Sequence, residues 1–247
     1  MLVSAVMPTK DRAAYAPLAI ACFLAQTYAE RELVIMEDGR QSIEHLIPAD
    51  PRIRYIKMAP GYRTLGAKRN YLAAEARGEI IIHWDDDDWS APGRMAAQVA
   101  YLLASGKAVT GYHRIYYWDE QKAKAFEYRF SGPGSYACGT SQCYLRSFWA
   151  KHSFPLMSFG EDSKFSHAAS MQRQLTSVDG GQMMVVRHHA ASTSHPNLGA
   201  FCFPAVDRSE LPAEFFRAID CRGGACPALG SAESGDGKPS PYDTEEK

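Results

Sequence analysis

Three short runs, LVSAVM (2–7), ELVIM (32–36) and EIIIHW (79–84), are apolar almost throughout and contain neither Gly nor Pro. That continuity constrains the fold more than any other feature, because a strand with one solvated face alternates apolar and polar residues, whereas an unbroken apolar run is covered on both faces. A further run, RIRYIK (52–57), and two helical patterns, about 13–27 and 64–77, lie between them. This order of strands and helices predicts an α/β fold with a mixed, mostly parallel central sheet flanked by helices. At 247 residues and 46% hydrophobic content the chain can bury one sizeable core. A single domain over 1–220 is expected, its first half ending near 105 and its second covering 106–220.

The second half is patterned differently. A helix is expected over 91–105, with Ser90 as its cap and Pro92 in its first turn. The aromatic-rich runs 107–118 and 124–130, joined through 119–122, predict a small antiparallel hairpin excursion. Residues 139–149 read as a strand running into a short helix, 161–175 as a helix with Phe165, Ala168, Ala169 and Leu175 on its buried stripe, and 182–187 as a strand. The segment 221–247 mixes Gly, Ser, Pro and acidic residues and is expected to be a disordered tail. No internal repeat is visible.

Composition excludes several function classes. The formal net charge of −1 supplies no basic field, so nucleic acid is not an expected partner. No apolar stretch approaches the roughly 20 residues of a membrane-spanning helix, and strand-like sequence begins at Leu2 with no leader before it. A cytoplasmic location is expected, with peripheral membrane contact left open. The six cysteines form no CxxC pair and read as reduced structural thiols.

Ligands of open α/β sheets gather outside the carboxyl ends of the strands. The segments that follow the runs are PTKDR, EDGR, 58–70 and DDDDW. Together they place acids and bases on one rim, a mixture suited to a phosphate-bearing ligand that needs a metal. Four adjacent carboxylates, Asp85 to Asp88, repel one another unless a counter-charge is present. If strand geometry persists, Asp85 and Asp87 project one way and Asp86 and Asp88 the other, so the useful pair is an Asp-x-Asp. Mg2+ and Mn2+ favour such oxygen ligands and usually retain positions for water and substrate phosphates.

VMPTKDR, QTYAERELVIMEDG (26–39), GAKRNYLAAEARGEIIIHWDDDDW (66–89) and FGEDSKF (159–165) resemble, in order and spacing, the inverting family 2 glycosyltransferases of the GT-A fold. The similarity spans about residues 2–195. It implies a nucleotide-binding first half and an acceptor-binding second half. By position, the resemblance implies that Pro8 and Thr9 line the nucleoside pocket and that Asp38 hydrogen-bonds the base, usually uracil. It implies that Lys68 and Arg69 face the diphosphate or nucleoside, that Asp85 holds the ribose or donor sugar with Asp86 in support, and that Asp87 coordinates Mn2+ or Mg2+. The EDGR segment departs from the family's common Asp-Asp-Gly-Ser, which bears on the base.

The resemblance also places the general base at the start of the 161–175 helix. Asp162 is the choice, because backbone N–H groups at a helix start help keep a carboxylate ionised; Glu161 positions the acceptor or takes the base role instead. The resemblance further implies a His near residue 189 that completes the metal sphere or closes over the diphosphate, the other reading being an ordinary hydrogen-bonded His; His189 is taken, with His188 not separated from it. Trp84, Trp89, Tyr116, Tyr117 and Trp118 are expected mostly to pack, with sugar stacking as the other possibility. The implied partners are a nucleotide-sugar donor and a glycan, lipid-linked or small-molecule hydroxyl acceptor. Two other functions compete. A sugar-nucleotide nucleotidyltransferase would carry a Gly-rich phosphate loop after the first strand, and PTKDR has no Gly; a non-catalytic nucleotide-sugar-binding module would have lost one of Asp38, Asp85, Asp87 or Asp162, and all four are present.

Overall fold

A computed structural model describes residues 1–220 apart from 62, 131, 133 and 134. The expected tail, with Cys221 and Cys226, lies outside the described residues. The elements run in chain order β1 (Val3–Thr9), α1 (Ala16–Leu24), β2 (Arg31–Glu37), β3 (Ile53–Lys57), α2 (Leu65–Glu75), β4 (Ile80–His83), β5 (Trp89–Ser90) and α3 (Arg94–Ser105). They continue with β6 (Val109–Thr110), β7 (Tyr112–Asp119), β8 (Lys124–Arg129), β9 (Cys143–Leu145), α4 (Arg146–Trp149), α5 (Glu161–Met171), β10 (Val178–Asp179), β11 (Met184–His188), β12 (Ala205–Val206) and α6 (Ala213–Asp220).

The first sheet has the order β3-β2-β1-β4-β9-β6, with β3, β2, β1 and β4 parallel and β9 antiparallel to β4. Its continuous apolar strands are covered on both faces, as their sequence predicts. Val3, Ala5, Met7, Leu33, Ile35, Ile80 and Ile82 face one core with residues of α1, α3 and α6. The alternate residues Val6, Val34, Met36 and Ile81 face a second core with residues of α2 and α5. Each fully buried side chain of this size contributes roughly 1.5–3 kcal/mol, so two-sided burial leaves these strands little freedom to slip register.

Register then aims the rim. Thr9 pairs with Glu37 and Met7 with Ile35, so β1 and β2 end side by side. Val6 pairs with His83, which brings the aspartates after β4 beside the end of β1.

The second sheet follows β12-β8-β7-β11-β5, with β10 also paired to β7. The β7–β8 hairpin is therefore the middle of a sheet rather than an isolated excursion, and β11 runs parallel to β7. Because β5 pairs with β11, the aspartate run is the link by which the chain crosses from the first sheet to the second. The expected strand 107–118 is divided between the two sheets at Gly111. A Cβ there would meet Ala137 Cβ at 2.7 Å, so the crossing point has no room for a side chain.

The third helix begins three residues later than expected. Gly93 caps it, while Ser90 sits in β5 and its Oγ accepts from Arg94 Nη1 at 2.8 Å. Helix α5 stops at Met171, and Leu175 is buried beyond it, next to a bridge with Val109. Among the described residues no helix is long and apolar enough to cross a membrane.

Candidate active site

A cleft of about 380 Å³ opens at the carboxyl rim of the first sheet, where the second sheet meets it. One wall carries Pro8, Arg12, Arg69 and Asp85 to Asp88; another carries Glu161 and Asp162 from the start of α5. Strand β4 ends at His83, and the aspartates form a turn rather than an extended strand. The alternation survives all the same. Asp85 and Asp87 are partly exposed, while Asp86 and Asp88 are buried.

Each acid of the run has its own answer to the charge problem. Asp87 Oδ2 accepts from Arg12 Nη1 at 3.1 Å, and Asp85 Oδ1 lies 3.6 Å from Arg69 Nη2. Burial, then the charge of Asp87, pushes the Asp86 carboxyl up to about 8. Burial, then Asp87 and Asp85, also raises Asp88 well above the carboxylate range. Asp88 accepts from the Thr140 hydroxyl and, at 3.2 Å, from the Arg187 N–H. The buried pair thus favours protonation, and the exposed pair is matched by arginines.

Unlike His188, which lines the cleft, His189, directly after β11, is buried beside Asp87 and does not itself line it. Its Nε2 lies 3.1 Å from Asp87 Oδ2 and 3.2 Å from Arg12 Nη1. The Ala191 N–H donates to Nδ1 at 3.2 Å, so a neutral ring carries its proton on Nε2 and gives it to Asp87. The Tyr15 ring stacks on the imidazole at 3.8 Å, and both Arg12 and Arg187 lie over Tyr15. His188, the alternative, points instead toward His195 at 3.3 Å and Asp119 at 3.8 Å.

On α2, Thr64 caps the helix by accepting from the Ala67 N–H at 3.3 Å, and the helix projects Lys68 and Arg69 toward the rim. Lys68 Nζ binds Asp38 Oδ1 at 2.5 Å, and the second oxygen of Asp38 is buried without a hydrogen-bond partner among the described residues. Thr9, Asp38 and Lys68 are all buried and do not line the cleft. Arg69 Nε binds Glu161 Oε1 at 3.1 Å. Burial opposes the charge of Arg69, but Asp85, Glu161 and Asp162 outweigh it and raise its pKa. Burial likewise raises Glu161, with Arg69 acting the other way.

Asp162 has a different setting from Glu161. It is partly exposed, and its Oδ1 accepts from its neighbour Ser163, whose N–H lies at 2.6 Å. Gln142 Nε2 donates to the Asp162 carbonyl at 3.0 Å and to Ser166 Oγ at 2.6 Å, fixing the first turn of α5. Gly139 makes space for the carboxylate, since a Cβ there would fall 1.5 Å from Asp162 Oδ2.

Sequence reasoning missed two of these residues. Arg12 was legible only as one charge in PTKDR, and nothing in the sequence marks Gly139. Trp84 and Trp89 are core residues, each 1% exposed, whereas Tyr117 lines the cleft. As for a metal, no three His, Cys, Asp or Glu side chains converge among the described residues. The donors that do converge are the oxygen of Asp87, which suits Mn2+ or Mg2+ when phosphate and water supply the rest, and the nitrogen of His189, a softer donor that disfavours Mg2+.

Comparison with known proteins identifies the family and the fold. The model of the family described as glycosyl transferase family 2 matches residues 4–184. The O-antigen biosynthesis glycosyltransferase WbnJ of Escherichia coli is 27% identical over 116 residues, 44% of this chain and 45% of that protein. The chain thus spans less than half the length of this curated relative. Among solved structures, TarS of S. aureus in complex with UDP-GlcNAc matches with a TM-score of 0.66 at 15% identity, covering 78% of this chain and 60% of that one. The mannosyltransferase PcManGT of Pyrobaculum calidifontis, in complex with GDP-Man and Mn2+, matches with a TM-score of 0.59 at 14% identity, covering 75% and 56%. These two likenesses show a shared mixed α/β fold.

Proposed function

The chain belongs to glycosyl transferase family 2, and from that premise we infer that it is a metal-dependent, inverting glycosyltransferase. It moves a sugar from a nucleotide diphosphate donor, UDP-linked in the first instance, to a hydroxyl of a glycan, lipid-linked or small-molecule acceptor. The observation that carries this reading is that one cleft is lined by Asp85 and Asp87 on one wall and by Asp162 on another.

Asp162 takes the proton of the acceptor hydroxyl as that oxygen attacks the anomeric carbon. The bond from the anomeric carbon to the diphosphate oxygen breaks, and the diphosphate leaves with the electron pair. Attack from the face opposite the leaving group inverts the anomeric centre. Glu161 is held by Arg69 and is not free to move a proton, so it orients Arg69 toward Asp85 and the donor. Asp85 accepts from the ribose or donor sugar. Asp38, held by Lys68 and buried outside the cleft, would accept from a base N–H through its unpartnered oxygen only after donor binding exposes it.

Asp87 and His189 are the residues that would hold the divalent ion, His189 through Nε2 as the tautomer that carries its proton on Nδ1 and gives up the contact from the Ala191 N–H. The bound ion would act as a Lewis acid on the departing diphosphate. The relatives carry different nucleotides in their complexes, UDP-GlcNAc in one and GDP-Man in the other. A thermal-shift screen of UDP, GDP and their sugars with Mn2+ therefore tests the reading directly. Protection by at least one nucleotide sugar in the presence of Mn2+ is expected, and no protection by any of them refutes it.

A further inference from the structure

Arg12 occupies an unusual position for a residue in a site expected to bind a dication. The residue is 8% exposed. Nη1 lies 3.1 Å from Asp87 Oδ2 and 3.2 Å from His189 Nε2, the same two atoms that converge as metal donors. Nη2 reaches Thr193 Oγ1 at 3.4 Å, in the segment that follows β11. An ion held by Asp87 and His189 would lie nearer to both atoms than Nη1 does, since such ligands sit at about 2.0–2.2 Å. Guanidinium and ion therefore compete for Asp87 Oδ2 in the space beside His189 Nε2, and the two positive charges repel at that range.

Resting on the metal-dependent reading above, we propose that Arg12 is a built-in counter-cation of the donor-free protein, which fills the cation position and is displaced only when the divalent ion arrives with a nucleoside diphosphate. The diphosphate is what makes the exchange favourable. Arg12 leaves one carboxylate and needs another anion, and phosphate oxygens accept a guanidinium in bidentate fashion. A free ion offers Arg12 nothing in return. Two consequences follow for the order of events. Metal alone binds weakly, and the contact of Arg12 with Thr193, which ties the loop after β1 to the 189–196 segment, is released in the same step as donor capture. Tyr15, stacked on His189 and beneath Arg12, holds both groups in place until then.

The test uses the full chain, freed of metal by chelation, titrated with Mn2+ alone and with Mn2+ plus UDP or GDP, with unbound Mn2+ followed by its electron paramagnetic resonance signal. Wild-type protein is expected to bind Mn2+ at least tenfold more tightly with one of the nucleotides than without. Arg12→Gln should bind Mn2+ alone at least tenfold more tightly than wild type does. Arg12→Lys, which keeps the charge, should stay within about threefold of wild type. If Arg12→Gln binds Mn2+ alone no better than wild type, or Arg12→Lys gains as much as Arg12→Gln, the counter-cation role is wrong, while wild-type binding with nucleotide leaves the metal-dependent reading standing. If neither protein takes up Mn2+ under any condition, both fail. Should Arg12→Gln not fold, the wild-type titrations decide: equal affinity with and without nucleotide overturns the inference.

Discussion

Glu161 and Asp162 are neighbours in sequence, yet the fold gives them opposite surroundings. Glu161 is 2% exposed and bound to a guanidinium that is itself 3% exposed. Removing one partner of a buried pair costs about 3–5 kcal/mol, and here Arg69 would be left with Asp85 at 3.6 Å as its nearest counter-charge. Glu161→Ala should therefore lower the stability in urea by roughly that amount, whereas Asp162→Asn, at a partly exposed position, should stay within about 0.5 kcal/mol of wild type. Activity should separate the two in the other direction: Asp162→Asn is expected to keep donor binding while transfer falls by about 10²–10⁴-fold. Equal loss of donor binding and stability in both variants would undo the assignment. Gly139→Ala offers a steric check on the same carboxylate, since its Cβ would displace Asp162 Oδ2. A drop in kcat with little change in donor KM is the expected result. At this scale the chemistry of the acids was legible in the sequence, because like charges at a strand end demand a partner. The identity of the partner was not, for Arg12 reaches Asp87 across 75 positions and only the register of β1 with β4 brings them together.

The elements set where those residues stand. Continuous apolar strands foretold the two-sided sheet, and the ends of β1, β2 and β4 fall within a residue or two of their expected places because burial on both faces fixes their register. Shorter elements were hidden for the opposite reason. Strands β5, β6, β10 and β12 have two residues each and exist only through pairing with distant partners, so no local periodicity announces them. Gly111 illustrates the limit, since a run that looks like one strand is divided by packing against Ala137, a contact no local pattern contains. Helix α2 is where an element-scale test bears on function. Thr64 supplies its N-terminal side-chain cap, and Thr64→Ala should cost about 1 kcal/mol. Because Lys68 and Arg69 are anchored by Asp38 and Glu161, donor affinity should change less than twofold. A large loss of donor affinity at unchanged stability would show that the cap, not the ion pairs, positions these two side chains.

At the scale of the whole molecule, the aspartate run joins the two sheets, and so does the Asp87–Arg12–His189 contact, because Arg12 follows β1 of the first sheet and His189 follows β11 of the second. Ligand binding at that junction should therefore register as global stability rather than as a local change. A ligand that binds only the folded state at about 100 times its Kd adds roughly 2.7 kcal/mol. For a chain of this size each kcal/mol is worth about 2–4 °C in Tm, so a shift of roughly 5–10 °C is expected with saturating nucleotide sugar and Mn2+ together. Mn2+ alone should give a small fraction of that, since Arg12 already balances Asp87 in its absence. Asp87→Ala should remove the metal-dependent part of the shift and leave whatever nucleotide alone provides through Asp38 and Asp85. A full shift retained by Asp87→Ala would place the metal elsewhere and separate the charge of the run from its proposed use.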